Sequence, residues 1–199
     1  MHWLTSDWHL GHINIAGPKV SKWKDGYRNF DSVKEMDKTI INDINRHVSK
    51  NDIIWMLGDF SFGSDTMIPV YRNRINCNNI HIIRGNHDHF IDNYSEGFTS
   101  ISDYRENMFH LQDGRKVSVV MLHYAMRVWR SSHRGSLHAY GHSHSSLENN
   151  PNGKSMDVGI DNAYKIYGEY RPFSIEEFVK LMDAREIALP DQHKTVRNE

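Results

Sequence analysis

The sequence lacks the features that mark several large classes of protein. Its 199 residues contain one cysteine, Cys77, which excludes an internal disulfide bond and a cysteine-based zinc cluster. It has no apolar run long enough to span a membrane. The formal net charge is −1, so no global positive field attracts nucleic acid or an anionic membrane. Any attraction for a phosphate group must therefore be local, and metal ligands must come from His, Asp, Glu and Asn.

Length and the N-terminal residues set expectations for the organisation of the chain. This length suits one domain with a substantial core, and we predict a single domain over residues 1–187 followed by a polar tail over 188–199. The first residues have neither the basic region nor the long apolar segment of a signal peptide. We therefore expect a cytoplasmic protein, or one in the host cytoplasm if the gene is phage-encoded.

Short apolar runs bounded by turn residues predict β-strands. They cover residues 3–5, 53–57, 80–83, 117–122, 137–140 and 156–160. The run 53–57 is continuously apolar, which is typical of a strand covered on both faces. Asp113-Gly114 and Asn152-Gly153 each lie between two runs and predict hairpin turns.

Helical periodicity is clearest over residues 31–50, where apolar side chains share one face after a cap at Asp31. A second helix is predicted to begin at Ser174, with Glu177 completing a capping box. A third covers residues 66–75. The pattern predicts an α/β (α+β) fold in which helices cover mixed β-sheets.

Five polar segments stand at the ends of apolar runs. They are Asp7-Trp8-His9, Gly58-Asp59, Gly85-Asn86-His87-Asp88, His123 and Gly141-His142-Ser143-His144. Ligands of open α/β sheets gather outside the carboxyl ends of the strands, so we expect the first three segments to converge on one edge. Their carboxylate, imidazole and amide groups are sufficient to hold two divalent cations.

Each segment also has an ordinary structural interpretation. Asp7 and His9 suit a turn with a surface imidazole, Asp59 suits an Asx turn, and Asn86 suits a left-handed turn. As a ligand, however, Asp59 is the natural bridge between two cations, because its carboxylate has two oxygens.

Taken singly, the histidines of the last two segments also allow both a structural and a metal-binding interpretation. In extended backbone His142 and His144 would point the same way, either as a metal clamp or as solvent-facing imidazoles. A lone histidine after a strand, such as His123, is more often structural than a ligand. The joint occurrence of all five segments favours a metal site.

In this order, the five segments resemble the motifs of the calcineurin-like metallophosphoesterase superfamily. A branch of small bacterial and phage-encoded members is also similar at residues 5–15 and at Met36-Asp37, Leu57-Gly58-Asp59-Phe60, His133-Arg134-Gly135-Ser136, Val158-Gly159-Ile160-Asp161 and Tyr170-Arg171-Pro172. The resemblance covers residues 3–182. It implies a four-layer sandwich of two mixed β-sheets flanked by helices, in agreement with the predicted elements.

The resemblance also implies a role for each site residue. Two sets of four ligands share one carboxylate: Asp7, His9, Asp59 and His144 for one cation, and Asp59, Asn86, His123 and His142 for the other. It further implies that His87 is a catalytic residue beside the scissile bond and that Asp88 orients it. The donor set suits Mn²⁺ best, with Fe²⁺, Zn²⁺, Ni²⁺ and Co²⁺ as alternatives.

The implied activity is hydrolysis of a phosphodiester bond by a hydroxide shared between two cations, with His87 protonating the leaving group or stabilising its charge. A phosphomonoesterase remains an alternative. So does an SbcD-like nuclease acting on single-stranded nucleic acid, although the chain has no room for the additional DNA-capping domain of those enzymes. A non-catalytic, metal-dependent binding module is disfavoured because the ligands and His87 are all present.

The substrate is less well defined than the chemistry. Residues 19–28, with Trp23, and residues 127–134, with Trp129, combine basic and aromatic side chains that suit a nucleotide or single-stranded nucleic acid. Solvated loops explain the same composition. Arg84 is the candidate for a phosphate contact, because its guanidinium can bind two oxygens. We expect a small or nucleotide-like phosphoester as the partner and no membrane, and the oligomeric state stays open.

Overall fold

Two mixed β-sheets form the frame of the structure, a computed structural model that describes residues 1–188. The strands are β1 (His2–Thr5), β2 (Ile53–Met56), β3 (Asn79–Ile83), β4 (Ser100–Ser102), β5 (Tyr104–His110), β6 (Lys116–Leu122), β7 (Leu137–Tyr140), β8 (Ser155–Asp157) and β9 (Phe173–Ser174). One sheet has the order β4-β3-β2-β1-β9, in which only the β1–β9 pair is antiparallel. The other has the order β5-β6-β7-β8, in which only the β5–β6 pair is antiparallel.

Helices cover these sheets and connect their strands. Within residues 1–188 the α-helices are α1 (Ile13–Ala16), α2 (Val33–His47), α3 (Met67–Arg72), α4 (Ile160–Tyr167) and α5 (Ile175–Asp183). Short 3-10 helices lie at Ile91–Gly97 and Ser132–Arg134. The predicted fold class, two mixed sheets flanked by helices, is confirmed.

Strand β2 shows how the layers are held together. Ile54 and Met56 pack in an apolar cluster with side chains of α2, whereas Trp55 and Leu57 pack in a second cluster with side chains of the other sheet and α5. Successive strand residues point to opposite faces, so a strand buried on both sides must be apolar throughout. This arrangement confirms the interpretation of the continuous run.

The predicted first residue is confirmed for one of the two clearest helices and is shifted for the other. Helix α5 begins with the expected capping box between Ser174 and Glu177. Helix α2 is capped by Ser32, whose hydroxyl accepts the N–H of Glu35, and not by Asp31. The backbone N–H of Asp31 instead donates to the Glu35 carboxylate, so the capping interactions begin one residue later than expected.

One of the two predicted hairpins is wrong. Asp113-Gly114 joins the antiparallel pair β5 and β6, as expected. Strands β7 and β8, however, are parallel, so Asn152-Gly153 is not a hairpin turn. A parallel pair needs a crossover, and residues 141–154 provide it. The predicted strand 156–160 also ends early, because helix α4 begins at Ile160.

Of the predicted tail over 188–199, residues 189–199 lie outside the described part of the chain. Among residues 1–188, every helix is too short or too polar to cross a bilayer.

His138 in β7 is a fully buried titratable group away from the predicted ligands. Its Nδ1 lies 3.0 Å from the carbonyl oxygen of Val120, and its Nε2 lies 3.0 Å from the backbone nitrogen of Met126. One ring nitrogen must donate and the other must accept, which only the neutral imidazole does. Burial accordingly lowers the pKa of His138 to about 4.

This histidine makes the stability of the fold depend on pH. Its folded pKa lies below the 6.5 of a free imidazole, so the unfolded chain binds the proton first as pH falls. The stabilisation is therefore complete above about pH 6.5 and is lost towards about pH 4, by about 3 kcal/mol in all. We expect His138→Gln, which keeps a donor and an acceptor without titrating, to lose less stability between neutral pH and about pH 5 than the unmodified protein.

Urea unfolding in the presence of EDTA measures this difference without a contribution from bound metal. The control is His110→Gln, at an exposed position of β5, which should retain the original pH dependence. An unchanged pH dependence in His138→Gln would contradict the assignment of a neutral buried imidazole.

Candidate metal centre

Loops that follow strands of both sheets meet at one place. Asp7, Asp59 and Asn86 follow β1, β2 and β3, and His123 and His142 follow β6 and β7, each within three residues of the strand end. The backbone N–H of His142 donates to the carboxylate of Asp7, at 2.9 Å from Oδ2, and so joins the loops of the two sheets. The structure thus brings together the segments expected to converge.

Six side chains fall into two groups whose ligand atoms lie within 4.8 Å of one another: Asp7, His9 and His144 in one, and Asp59, His123 and His142 in the other. A third group by the same distance, His9, Asp59 and His87, overlaps both. Asp59 stands between the groups. Its Oδ2 is 3.5 Å from Nε2 of His9 and 3.6 Å from Nε2 of His123, which is longer than a hydrogen bond. One carboxylate therefore faces imidazoles of both groups.

The amide oxygen of Asn86 belongs with the second group. It lies 3.0 Å from Nε2 of His123 and 2.9 Å from Nδ1 of His142. With Asn86 included, all seven predicted ligands line one continuous centre.

The backbone of this centre adopts an uncommon conformation. Five of the predicted ligands have positive φ: Asp7 (58°), His9 (49°), Asp59 (58°), His142 (65°) and His144 (45°). Each such residue costs on the order of 1–3 kcal/mol, and the conformation persists only where the surrounding structure imposes it. The expectation that His142 and His144 extend a strand is wrong, since β7 ends at Tyr140 and the two imidazoles join different groups.

Glycines let the loops approach this closely. A Cβ atom on Gly85 would overlap the carboxylate of Asp59, and one on Gly141 would overlap the side chain of Ser6 and crowd Asp7. The glycines of two predicted segments are therefore required by the packing of the loops.

His9 provides a direct indication that a cation fits here. Its side chain is 2% exposed, and both ring nitrogens lack a hydrogen-bond partner. Burial, together with the nearby charge of His144, holds the pKa of His9 well below its ordinary value, so the ring is neutral. A buried imidazole without partners is costly, whereas a metal ion would bind its free lone pair.

The carboxylates of the centre give a second indication. Asp7 is fully buried, and burial, together with the nearby charges of Asp157 and Asp59, raises its pKa well above the usual range, although His144 opposes the shift. A divalent cation would compensate this negative charge and keep Asp7 ionised. The residues present thus fit divalent metal ions.

Asp161, at the start of α4, fixes the orientation of His144. Its Oδ2 lies 2.6 Å from Nδ1 of His144, which leaves Nε2 as the remaining ring nitrogen for a metal. The Arg28 guanidinium binds both oxygens of Asp161, at 2.8 and 2.9 Å, and also donates to the carbonyl oxygen of Asp7. Burial favours the neutral form of Asp161, but Arg28 and His144 lower the pKa of its carboxyl far below the usual range.

Neither Arg28 nor Asp161 is among the predicted site residues. They are 133 positions apart, and no local spacing connects them. The available signal was Asp161 itself, which lies in one of the segments that resemble the phosphoesterase branch.

His87 stands at the edge of the centre. Its backbone N–H donates to Oδ1 of Asp59 at 2.9 Å, and its ring lies within ligand distance of His9 and Asp59. The ring contacts Phe62 edge-on at 5.0 Å between centroids. Within the described residues no hydrogen bond fixes the imidazole, which is half-buried and available to a bound molecule.

Asp88 does not orient His87 as expected. Its carboxylate accepts backbone N–H groups of Asp59 at 2.8 Å, Phe60 at 3.0 Å and Gly85 at 2.8 Å. Both of its oxygens are thereby engaged. Asp88 ties the loops after β2 and β3 together and acts as a positioning residue for Asp59.

Arg84, the predicted phosphate contact, is bound to two carboxylates in the structure. Its guanidinium donates to Asp92 at 3.0 and 2.7 Å and to Asp103 at 2.7 Å, so all three nitrogens are engaged. Trp129 is likewise unsuitable as a stacking surface, because it is buried and its Nε1 donates to Ser136.

Aromatic rings form a wall beside His87. The imidazole of His12 stacks on Phe62 with 3.9 Å between centroids, and Trp23, 45% exposed, meets His12 edge-on. His12 is buried and its Nδ1 has no partner, and burial, with the charge of His87, lowers its pKa to about 4. His12 is not among the residues predicted from the sequence, since its neighbours in space come from separate segments of the chain.

Comparison with known proteins shows the family and the fold of this chain. A family model described as the calcineurin-like phosphoesterase superfamily domain matches residues 4–156. An uncharacterized protein of Methanocaldococcus jannaschii is 28% identical over 183 residues, which are 91% of this chain and 90% of that protein. The crystal structure of a protein of unknown function from Aquifex aeolicus has the same fold, with a TM-score of 0.62 and 18% identity over 91% of this chain and 98% of that one. Since the family model spans most of the sequence and includes all seven predicted ligands, this chain belongs to the calcineurin-like phosphoesterase superfamily.

Proposed function

We propose that this protein hydrolyses a phosphodiester bond in a small, nucleotide-like substrate with the help of two divalent cations. The observation that carries the proposal is the position of Asp59, whose single carboxylate faces imidazoles of both ligand groups. The superfamily is generally hydrolytic and uses divalent metals, which supports a metal-dependent phosphoesterase.

In this proposal one cation is held by Asp7, His9, Asp59 and His144, and the other by Asp59, Asn86, His123 and His142. Imidazole nitrogens combined with carboxylate and amide oxygens suit Mn²⁺, and we propose it as the metal. When bound, two such ions supply Lewis acidity, which lowers the pKa of water and polarises phosphoryl oxygens.

The side chains around the centre have separate roles in this proposal. Asp161 and Arg28 hold His144 in one orientation, and Asp88 holds the backbone that carries Asp59. The imidazole of His87 forms no hydrogen bond within the described residues, and this half-buried ring lies within ligand distance of His9 and Asp59. It is therefore placed to donate a proton to the leaving oxygen as the ester bond breaks.

Leaving-group dependence tests the role of His87. With Mn²⁺ present, we expect His87→Ala to lower kcat for diesters of poorly acidic alcohols about 100-fold or more, because their leaving oxygen needs a proton. Diesters of nitrophenol, whose leaving oxygen is stable without a proton, should lose about 10-fold or less. Metal content should remain unchanged.

The matched control is His89→Ala, an exposed histidine two residues away in the same loop, which should keep full activity. Equal losses for both kinds of diester would contradict a proton-donating role. If the unmodified protein hydrolysed neither phosphodiesters nor phosphomonoesters while holding its metal, the proposed activity itself would be wrong.

Asp161 offers a test of the metal centre that does not depend on turnover. We expect Asp161→Asn to weaken Mn²⁺ binding about 10- to 100-fold, because a neutral amide no longer fixes and polarises His144. Isothermal titration calorimetry measures the affinity, and circular dichroism in EDTA checks that the fold persists. Asp113→Asn, in the exposed turn between β5 and β6, is the control. An unchanged affinity in Asp161→Asn would contradict the proposed role of the Asp161 carboxylate in preparing His144 for a metal.

A further inference from the structure

A cavity of about 370 Å³ lies directly beside the candidate metal centre. His144, Asp161 and Arg28 line one side of it, and Tyr27, Tyr164 and Tyr170 contribute aromatic side chains to the rest of the lining. His87 does not line it. The cavity therefore extends from the ligand group of His144, whereas the proposed proton donor belongs to another part of the site. Its volume falls within the range of small-molecule binding sites.

The tyrosines that line the cavity include a preformed stacking surface. The rings of Tyr164 and Tyr170 are nearly parallel, with 4.4 Å between centroids and 15° between planes. Tyr170 is buried and is packed against Phe30, with the Arg28 guanidinium 5.6 Å from its centroid. Tyr164 is 48% exposed, and Tyr170 is the only ring that contacts it within the described residues. A rigid pair of rings thus presents an aromatic surface to the cavity.

Two further residues add an aromatic ring and a positive charge to the lining of the cavity. Tyr27 contributes another aromatic side chain from the basic loop 19–28. Lys165, next to Tyr164 on α4, is exposed and forms no ion pair within residues 1–188. Arg28, in contrast, is committed to Asp161. Lys165 is therefore the cation of this cavity that remains available to a ligand.

We propose that the cavity binds the base of a nucleotide whose phosphate lies at the metal centre, with the base stacked on Tyr164 and a base carbonyl or second phosphate near Lys165. Aromatic stacking accepts any base, and an ammonium group contacts carbonyl and phosphate oxygens. This inference rests on the proposed phosphoesterase function and names its substrate class as a mononucleotide ester. It also gives part of the loop 19–28 a role in binding.

The experiment compares two phosphodiesters that share nitrophenol as leaving group. One is the nitrophenyl ester of thymidine monophosphate, and the other is methyl nitrophenyl phosphate, which has no base. We expect Tyr164→Ala to lower kcat/KM for the thymidine ester about 10- to 100-fold, chiefly through KM, and to leave the methyl ester unchanged. Tyr164→Phe should behave as the unmodified protein, and Lys165→Ala should also weaken only the thymidine ester.

The matched control is Tyr167→Ala, which removes an exposed tyrosine of the same helix that does not line the cavity. It should leave both substrates unaffected. Equal losses on the two diesters, or no loss in Tyr164→Ala, would overturn the proposal.

A binding measurement separates failure of this inference from failure of the proposed function. Calorimetric titration of the Mn²⁺-loaded protein with thymidine monophosphate should show binding that Tyr164→Ala weakens, even if the protein hydrolysed neither diester. In that case the enzymatic proposal fails and the cavity assignment stands. Hydrolysis of both diesters without a Tyr164 effect leaves the function intact and rejects the cavity. Binding of single-stranded oligonucleotides without binding of the mononucleotide would also overturn the inference.

Discussion

The burial of Asp7 and Asp59 side by side is the constraint around which this structure is organised. The two carboxylates are 0% and 2% exposed, and they face His9, whose neutral ring has no hydrogen-bond partner. Negative charge in a poorly solvated place must be compensated by a cation or by hydrogen bonds. Arg28 supplies positive charge nearby but is bound to Asp161. Divalent metal at the centre would satisfy both the carboxylates and the imidazole.

The rest of the fold holds these groups in position at a cost in backbone conformational energy. Each of five predicted ligands adopts a left-handed backbone, and the loops that carry them are joined by the carboxylates of Asp88 and Asp7. The two apolar clusters, on either face of β2, stabilise the sheets from which the loops emerge. A rigid frame with strained loops is typical of sites in which geometry matters more than local stability.

Much of the frame, and the convergence of the candidate ligands, could be predicted from the sequence, because both leave local signals. Continuous apolar runs mark buried strands, and the candidate ligands follow the ends of strands. Long-range pairing leaves no such signal: Arg84 is taken up by Asp92 and Asp103, and Asn152-Gly153 signals a turn without showing that β7 and β8 are parallel. Helix α4 is not predicted from the sequence, because the apolar run 156–160 is assigned to a strand and includes the first residue of the helix. Tyr164 and Lys165, which line the cavity, therefore have no predicted position.

The proposed metal centre requires that the carboxylate of Asp59 serve two metal ions. Electron paramagnetic resonance of the protein titrated with Mn²⁺ tests it most directly. We expect two ions to bind per chain with coupled spins, because Asp59 faces both ligand groups. Saturation at one ion, or two ions with the signals of isolated Mn²⁺, would contradict it.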